Sequence, residues 1–339
     1  MNIRRLGTTG LLVSPIGLGT AAIGGGGYAW GWGPQDDRDS IAAIRAAVES
    51  GINWIDTASA YGLGHSEEII ARATEALSPR PYVFTKCGMA WNDRREIWHC
   101  LKKDSIRNEV EASLRRLRRD VIDLCQIHWP RPDADIEEAC GVLVQLQSEG
   151  KLRFIGVSNF DIVQMRRAQS VAAIATLQAP YSLMDRRVED AILPFAVERG
   201  IGVISYSPMK SGLLSGTMTR ERIKNLPSDD HRADSQDFSE PRLSRNLAVA
   251  HFLCQLGARY GRSAGEMAIA WVLKNQDLTG AIVGARSAAQ IAGIVSAVNI
   301  RFDPEDLKAL DDFMARMRPG LIERGVNKAR SFIRRLVYR

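Results

Sequence analysis

Short apolar runs rich in β-branched residues alternate along this chain with longer segments whose apolar positions recur at helical spacing. The short runs are residues 16–19, 54–57, 82–86, 121–128, 154–157, 175–178, 203–206 and 281–284. The longer segments are 40–49, 66–76, 105–117, 136–149, 163–168, 188–198, 243–260, 264–274 and 288–297. The first of these carries Ile41, Ile44, Ala47 and Val48 on one face and is closed by Gly51. Runs that are apolar on both faces, each followed by an amphipathic helix, predict a parallel sheet covered by its crossover helices. Eight such units predict a closed (β/α)8 TIM barrel. The competing architecture, an open doubly wound sheet, would place G-x-G-x-x-G after its first strand. Gly24–Gly27 is a plain glycine run and does not match.

Two segments before the first run, 3–6 and 11–14, flank Gly7-Thr8-Thr9-Gly10 and predict an N-terminal β-hairpin that plugs the bottom of the barrel. Two stretches, 20–39 and 215–241, exceed ordinary loop lengths, and such loops in a compact domain are functional lids or disordered. At 339 residues, 45% hydrophobic and 25% charged, the composition is that of a globular protein, and no run of 18 apolar residues marks a membrane span. The start of the chain lacks the apolar stretch of a secretory signal. Five widely spaced cysteines without a C-x-x-C pair exclude a disulfide framework and point to a reducing compartment, so a cytoplasmic protein is expected.

The net charge of +6 raises the question of nucleic acid until it is located. Residues 316–339 hold eight Lys or Arg and one acid, Glu323, for a local +7. The rest of the chain is therefore close to neutral and presents no basic face for nucleic acid. The expected organisation is one barrel domain, 1–318, and a basic amphipathic C-terminal tail, 319–339, in which Phe332, Ile333, Leu336 and Val337 oppose the arginines. Such a tail packs on the barrel, frays, or lies on anionic lipid.

Barrel chemistry sits at the C-terminal ends of the strands. The second run ends at Asp56, with Tyr61 just beyond, the third at Lys86 and the fourth at His128. Neighbouring strands are ~4.8 Å apart, so an acid, a phenol, an amine and an imidazole converge at one mouth. Singly, each has an ordinary structural explanation; together at successive ends they point to catalysis. The five histidines form no metal-ligand spacing, and no metal is expected.

Over residues 3–300 the sequence closely resembles the aldo-keto reductase superfamily, most of all its bacterial general-stress type. The resemblance is carried by Gly17-Leu18-Gly19-Thr20, the segment from Asp56 to Gly62, Lys86, Asp123-Leu124-Cys125-Gln126-Ile127-His128-Trp129, Gly156-Val157-Ser158-Asn159-Phe160, Gln178, Tyr206-Ser207-Pro208 and Val283-Gly284-Ala285-Arg286. It implies a nicotinamide-dependent oxidoreductase that reduces aldehydes or ketones to alcohols, with Asp56, Tyr61, Lys86 and His128 as its catalytic tetrad. Hydride arriving at a carbonyl carbon leaves charge on oxygen, which a general acid neutralises. Lys86 beside the phenol is expected to bring the Tyr61 pKa down, Asp56 to hold Lys86, and His128 to orient the carbonyl.

The resemblance also implies a cofactor trench bordered by Gly19, Thr20 and Ser158, with Asn159 and Gln178 for the carboxamide. Tyr206 offers a ring face, and the turn through Ser207, Pro208, Met209, Lys210 and Gly212 offers backbone N–H groups for the pyrophosphate. Gly284, Ala285 and Arg286 lead into a helix N-terminus that favours phosphate. Arg286 suits a 2′-phosphate and no acid stands between Gly284 and Ala292, so NADP(H) is the expected cofactor. Gln290 keeps the family's position near adenine, but Ile291, Ala292 and Gly293 follow it where the family commonly has an acid or an acid-Asn pair. Trp30, Trp91 and Trp129 are expected to wall the pocket for a small carbonyl substrate. The rival reading is a nicotinamide-binding regulatory or sensor subunit with incidental turnover.

Overall fold

The structure, a computed structural model, describes residues 1–317; the expected tail, 319–339, lies outside the described residues. Twelve strands occur among them: β1 (Arg4–Arg5), β2 (Leu12–Val13), β3 (Ile16–Gly19), β4 (Trp54–Asp56), β5 (Tyr82–Cys87), β6 (Met89–Trp91), β7 (Ile97–His99), β8 (Ile122–Ile127), β9 (Leu152–Ser158), β10 (Ile174–Pro180), β11 (Gly202–Tyr206) and β12 (Gly280–Gly284). Helices α1 (Asp37–Glu49), α2 (His65–Thr74), α3 (Lys103–Leu117), α4 (Ile136–Ser148), α5 (Ile162–Gln169), α6 (Ile192–Glu198), α7 (Arg220–Lys224), α8 (Arg242–Tyr260), α9 (Ala264–Leu273), α10 (Ala288–Ser296) and α11 (Pro304–Arg316) complete the described chain. By internal packing the chain divides into Met1–Ile300 and a unit that begins at Arg301, which contains α11.

Eight parallel strands close in the order β3-β4-β5-β8-β9-β10-β11-β12, and β12 returns to β3 with Val283 opposite Leu18 and Gly284 opposite Gly19. This is the expected (β/α)8 barrel. Its strands are buried along nearly their whole length, because both faces are covered, one by the barrel interior and one by helices. The β1–β2 hairpin closes the bottom: Leu6, Leu11 and Val13 pack with Trp54, Phe84, Leu124, Ile204 and Ile282. Trp54 is the floor of this cluster, its indole N–H donating to the Ser14 carbonyl at 2.8 Å and its ring 5.1 Å from Phe84. Gly17 is required beside it, since a Cβ there would come within 2.4 Å of the indole.

Three expectations shift. The helix expected over 188–198 begins only at Ile192, because Pro194 has no N–H to donate to residue 190 and fits only a first turn. A small antiparallel hairpin, β6–β7, stands between β5 and α3 where nothing was predicted. The 215–241 stretch is not structureless. It holds α7, and its Met218 and Phe238 are buried in a cluster with the flanking Leu213 and Leu243. Among the described residues no helix is long and apolar enough to cross a membrane.

Candidate active site

At the C-terminal mouth, β4, β5 and β8 are consecutive neighbours, which brings their ends together as expected. Asp56 is buried at the end of β4, and one carboxylate oxygen accepts from Lys86 Nζ at 2.7 Å while the other accepts from Gln178 Nε2 at 2.7 Å. The same ammonium donates to the Thr57 carbonyl at 2.8 Å and to the Tyr61 hydroxyl at 3.4 Å. Tyr61 opens a short 3-10 turn in the loop that follows β4. The His128 ring stands edge-on to Tyr61, with centroids 5.8 Å apart, and stacks on Trp129.

Burial dominates the electrostatics. It raises the Asp56 carboxyl and lowers the Lys86 ammonium, and their mutual contact opposes both shifts. Tyr61 is raised above the ordinary phenol value, first by burial and then by the negative charge of Asp56. This corrects the expectation of a lowered phenol: the ammonium lies closer to Asp56 and Thr57 than to the hydroxyl. Tyr61 therefore stays protonated across the neutral range. His128 is held well below its usual value by burial and by the charges of Lys86 and His99, so its imidazole is neutral.

A cavity of about 570 Å³ runs from Asp56, Tyr61 and His128 along the strand ends to the start of α10. Of the expected cofactor residues, Gly19, Ser158, Asn159, Gln178, Tyr206, Ser207, Pro208, Met209 and Gly212 line it, as do Gly284, Ala285, Arg286 and Gln290. Thr20 lies behind the wall, its hydroxyl on the Asp56 carbonyl, and Lys210 instead pairs with Asp237 at 3.2 Å. Several of the amides are already partnered. Asn159 Nδ2 donates to the His128 carbonyl, and its Oδ1 accepts the Tyr206 hydroxyl at 2.8 Å. Gln290 accepts the Arg286 backbone N–H at 2.7 Å.

Arg286 departs furthest from expectation. Its guanidinium donates to the Trp32 carbonyl at 3.0 Å, to Gln35 Oε1 at 2.5 Å and to the Pro34 carbonyl, so three of its five N–H groups hold the loop before α1. That loop meets the 215–241 stretch above the cavity. Trp32 bridges Asp230, Asp229 accepts the Gly27 N–H at 3.0 Å, and the Arg232 guanidinium lies 4.7 Å over the Trp32 ring. The two long stretches thus form a roof.

Trp129 lines the cavity; Trp30 and Trp91 do not. Trp30 is exposed, and Trp91 carries the Arg116 guanidinium 5.6 Å from its ring centre. Trp32, Arg222 and Arg232 line it although the sequence did not single them out. No periodicity separates Trp30 from Trp32, since only the loop's turn decides which ring faces inward. Two buried carboxylates behind the mouth, Glu67 and Glu109, were also missed. Their signal was an acid on the apolar face of α2 and of α3. Among the described residues no cluster of three or more His, Cys, Asp or Glu is placed to hold a metal.

The length of the cavity, its amides and ring face at one end, and its arginines and helix start at the other fit a nicotinamide dinucleotide. The sequence profile of the Aldo/keto reductase family matches residues 15–315. The chain belongs to the aldo/keto reductase family. It is 38% identical over 317 residues to aldo-keto reductase YhdN of Bacillus subtilis, covering 93% of this chain and 94% of that one. It is also 38% identical over 315 residues to the NADH-specific methylglyoxal reductase of Escherichia coli, covering 89% and 94%. The glycerol dehydrogenase AKR11B4 from Gluconobacter oxydans has a similar structure, with TM-score 0.84, 37% identity and coverage of 94% and 97%. This aldo/keto reductase is therefore an oxidoreductase with a (β/α)8 barrel.

Proposed function

We propose that this aldo/keto reductase is a cytoplasmic, NADPH-dependent reductase of small aldehydes or ketones, with Tyr61 as its proton donor. The observation that carries the reading is the Lys86 ammonium set between the Asp56 carboxylate and the Tyr61 hydroxyl, at 2.7 and 3.4 Å, where the phenol borders the cavity. A nicotinamide cofactor, when bound, supplies the hydride. The residues around it do the rest. Tyr61, protonated and half-buried at the cavity wall, gives its proton to the carbonyl oxygen as charge develops there. Lys86 stabilises the phenolate that remains, and Asp56 with Gln178 fixes the ammonium in place. Neutral His128 offers one ring N–H to orient the carbonyl.

The preference for NADPH is supported by charge at the far end of the cavity. Arg222, Arg232 and Arg286 line it, whereas its acids are Asp56 and Glu266. Asp230 forms its ion pair with Arg232, and the three arginines outnumber the acids of the lining, which leaves positive charge for a 2′-phosphate. The NADH-specific relative defines the competing outcome, and kcat/KM for the two cofactors decides between them. The cytoplasmic reading is supported by the free state of all five cysteines.

Tyr61→Phe tests the chemistry. It removes one hydroxyl and keeps the ring, so the rate of aldehyde reduction should fall by ~10²–10⁴ while cofactor affinity is retained. A variant that reduces aldehydes at the wild-type rate removes Tyr61 from the role.

A further inference from the structure

Helix α3 turns Ile106, Val110, Ser113 and Leu117 toward the barrel, and Glu109 lies on this same buried face. Glu109 is only 8% exposed and does not border the cavity. Oε2 accepts the backbone N–H of Gly88 at 3.0 Å, that of Met89 at 3.1 Å and the Ser59 hydroxyl at 3.4 Å. Oε1 accepts the Ser105 hydroxyl at 3.0 Å. The donors on Oε2 come from the two segments that carry the proton donor and its lysine. Ser59 stands between Asp56 and Tyr61, and its own N–H donates to the Lys86 carbonyl at 3.3 Å. Gly88 and Met89 directly continue the strand of Lys86. Gly88 has φ +93°, a conformation that sets two successive N–H groups toward one oxygen, and a Cβ there would meet Leu101 at 2.8 Å.

We propose that Glu109 is a positioning residue that fixes the Tyr61 loop and the Lys86 strand end against each other through one shared carboxylate oxygen. It touches neither substrate nor cofactor and acts through Ser59, Gly88 and Met89. The role needs an acceptor at Oε2 rather than a charge. With a proton on Oε1, the acid donates to Ser105 while Oε2 still accepts all three donors. Glutamine can copy that pattern, its oxygen at Oε2 and its amide on Ser105. Methionine fills the volume and offers no comparable acceptor. A buried pair of backbone N–H groups left without a partner would draw the two segments apart.

The proposal rests on Tyr61 as proton donor, and Tyr61→Phe tests that premise separately. Full-length Glu109→Met, Glu109→Gln and Ser59→Ala are compared by kcat for 4-nitrobenzaldehyde at saturating NADPH. NADPH Kd is followed by tryptophan fluorescence, and folding by circular dichroism. Misplacement at the reacting centre predicts a kcat loss of about ten- to hundredfold in Glu109→Met with Kd nearly unchanged. Glu109→Gln restores kcat to near wild type. Ser59→Ala lowers it by a smaller factor, with little further loss when combined with Glu109→Met. A folded Glu109→Met at wild-type kcat, or a Glu109→Gln as slow as Glu109→Met, overturns the proposal. If Glu109→Met does not fold, Ser59→Ala decides: wild-type kcat in that variant overturns it. Loss of rate in Tyr61→Phe with none in the Glu109 series defeats this inference and leaves the proton-donor reading intact.

Discussion

Breaking the Asp56–Lys86 pair should separate the stability of the site from its chemistry. The Lys86 side chain is fully buried and that of Asp56 is 4% exposed, so each charge has the other as its main compensation. Asp56 accepts from two donors, Lys86 and Gln178, one on each oxygen. Asp56→Asn keeps the shape but supplies one acceptor oxygen, which leaves an amide N–H facing a donor. Removing one partner of a buried ion pair costs about 3–5 kcal/mol, and Asp56→Asn and Lys86→Met should each approach that loss. The double variant buries no charge and should recover most of it, so its loss should be smaller than either single loss and the coupling in urea unfolding should be at least about 3–5 kcal/mol. Turnover should not recover, because the phenol still lacks its ammonium; all three variants should lose ~10² or more in kcat. In Lys86→Met, Asp56 has a folded pKa raised further above its unfolded value. The folded state then holds a proton that the unfolded chain releases, so stability falls as pH rises from about 4 toward the raised value. The double variant should lose this Asp56 contribution and keep only the slope due to Glu109. Single variants as stable as wild type, or a double variant with normal kcat, would refute the reasoning.

Arg286→Ala should weaken NADPH binding by about ten- to hundredfold and NADH binding less, since a charged hydrogen bond is worth about 1.5–3 kcal/mol; equal losses in a fluorescence titration would assign Arg286 to the roof alone. Glu109 is pushed up to about 7 by burial, above its unfolded value, so wild-type stability should fall as pH rises from about 4 to 7 by up to roughly 3 kcal/mol. Glu109→Gln should lack this slope, and equal urea midpoint shifts between pH 5 and pH 8 in both proteins would disprove the titration. Gly17→Ala, with its Cβ driven toward the Trp54 ring, should lower stability by about 1–3 kcal/mol while the folded fraction keeps its kcat.

What was legible in the sequence follows from how each part is held. Barrel strands are buried on both faces, so eight apolar runs identified eight strands, and parallel order made the ends at Asp56, Lys86 and His128 neighbours. The β6–β7 hairpin escaped because its arms have three residues each, too short for any period. Glu109 escaped because an acid on an apolar helix face looks like an interruption of the pattern, while its donors lie on other segments. The partners of Arg286 escaped for a different reason. Trp32 and Gln35 stand about 250 residues before it in the chain, in a loop whose path is set by contacts with another loop.

These two kinds of legibility coincide with two kinds of constraint. The tetrad is built on strand ends and tied by buried bonds to the core, so a change there disturbs rate and fold together, as the Asp56–Lys86 cycle measures. The roof is built from loops joined by polar contacts such as Gly27 on Asp229, with an exposed donor, and is clasped to the body through Arg286. Partners exposed to water contribute little each to stability, so the roof residues held by such contacts, unlike the buried Asp230–Arg232 pair, are free to vary without unfolding the barrel. On the proposed reading, recognition of the cofactor phosphate and of the substrate would fall to cavity-lining positions such as Arg222, Arg286 and Trp129, which the barrel pattern does not dictate. Arg286→Ala should accordingly leave the urea midpoint within about 1 kcal/mol of wild type while it changes cofactor affinity. Asp56→Asn should do the reverse, with a large loss of stability and a cofactor Kd that moves less than kcat.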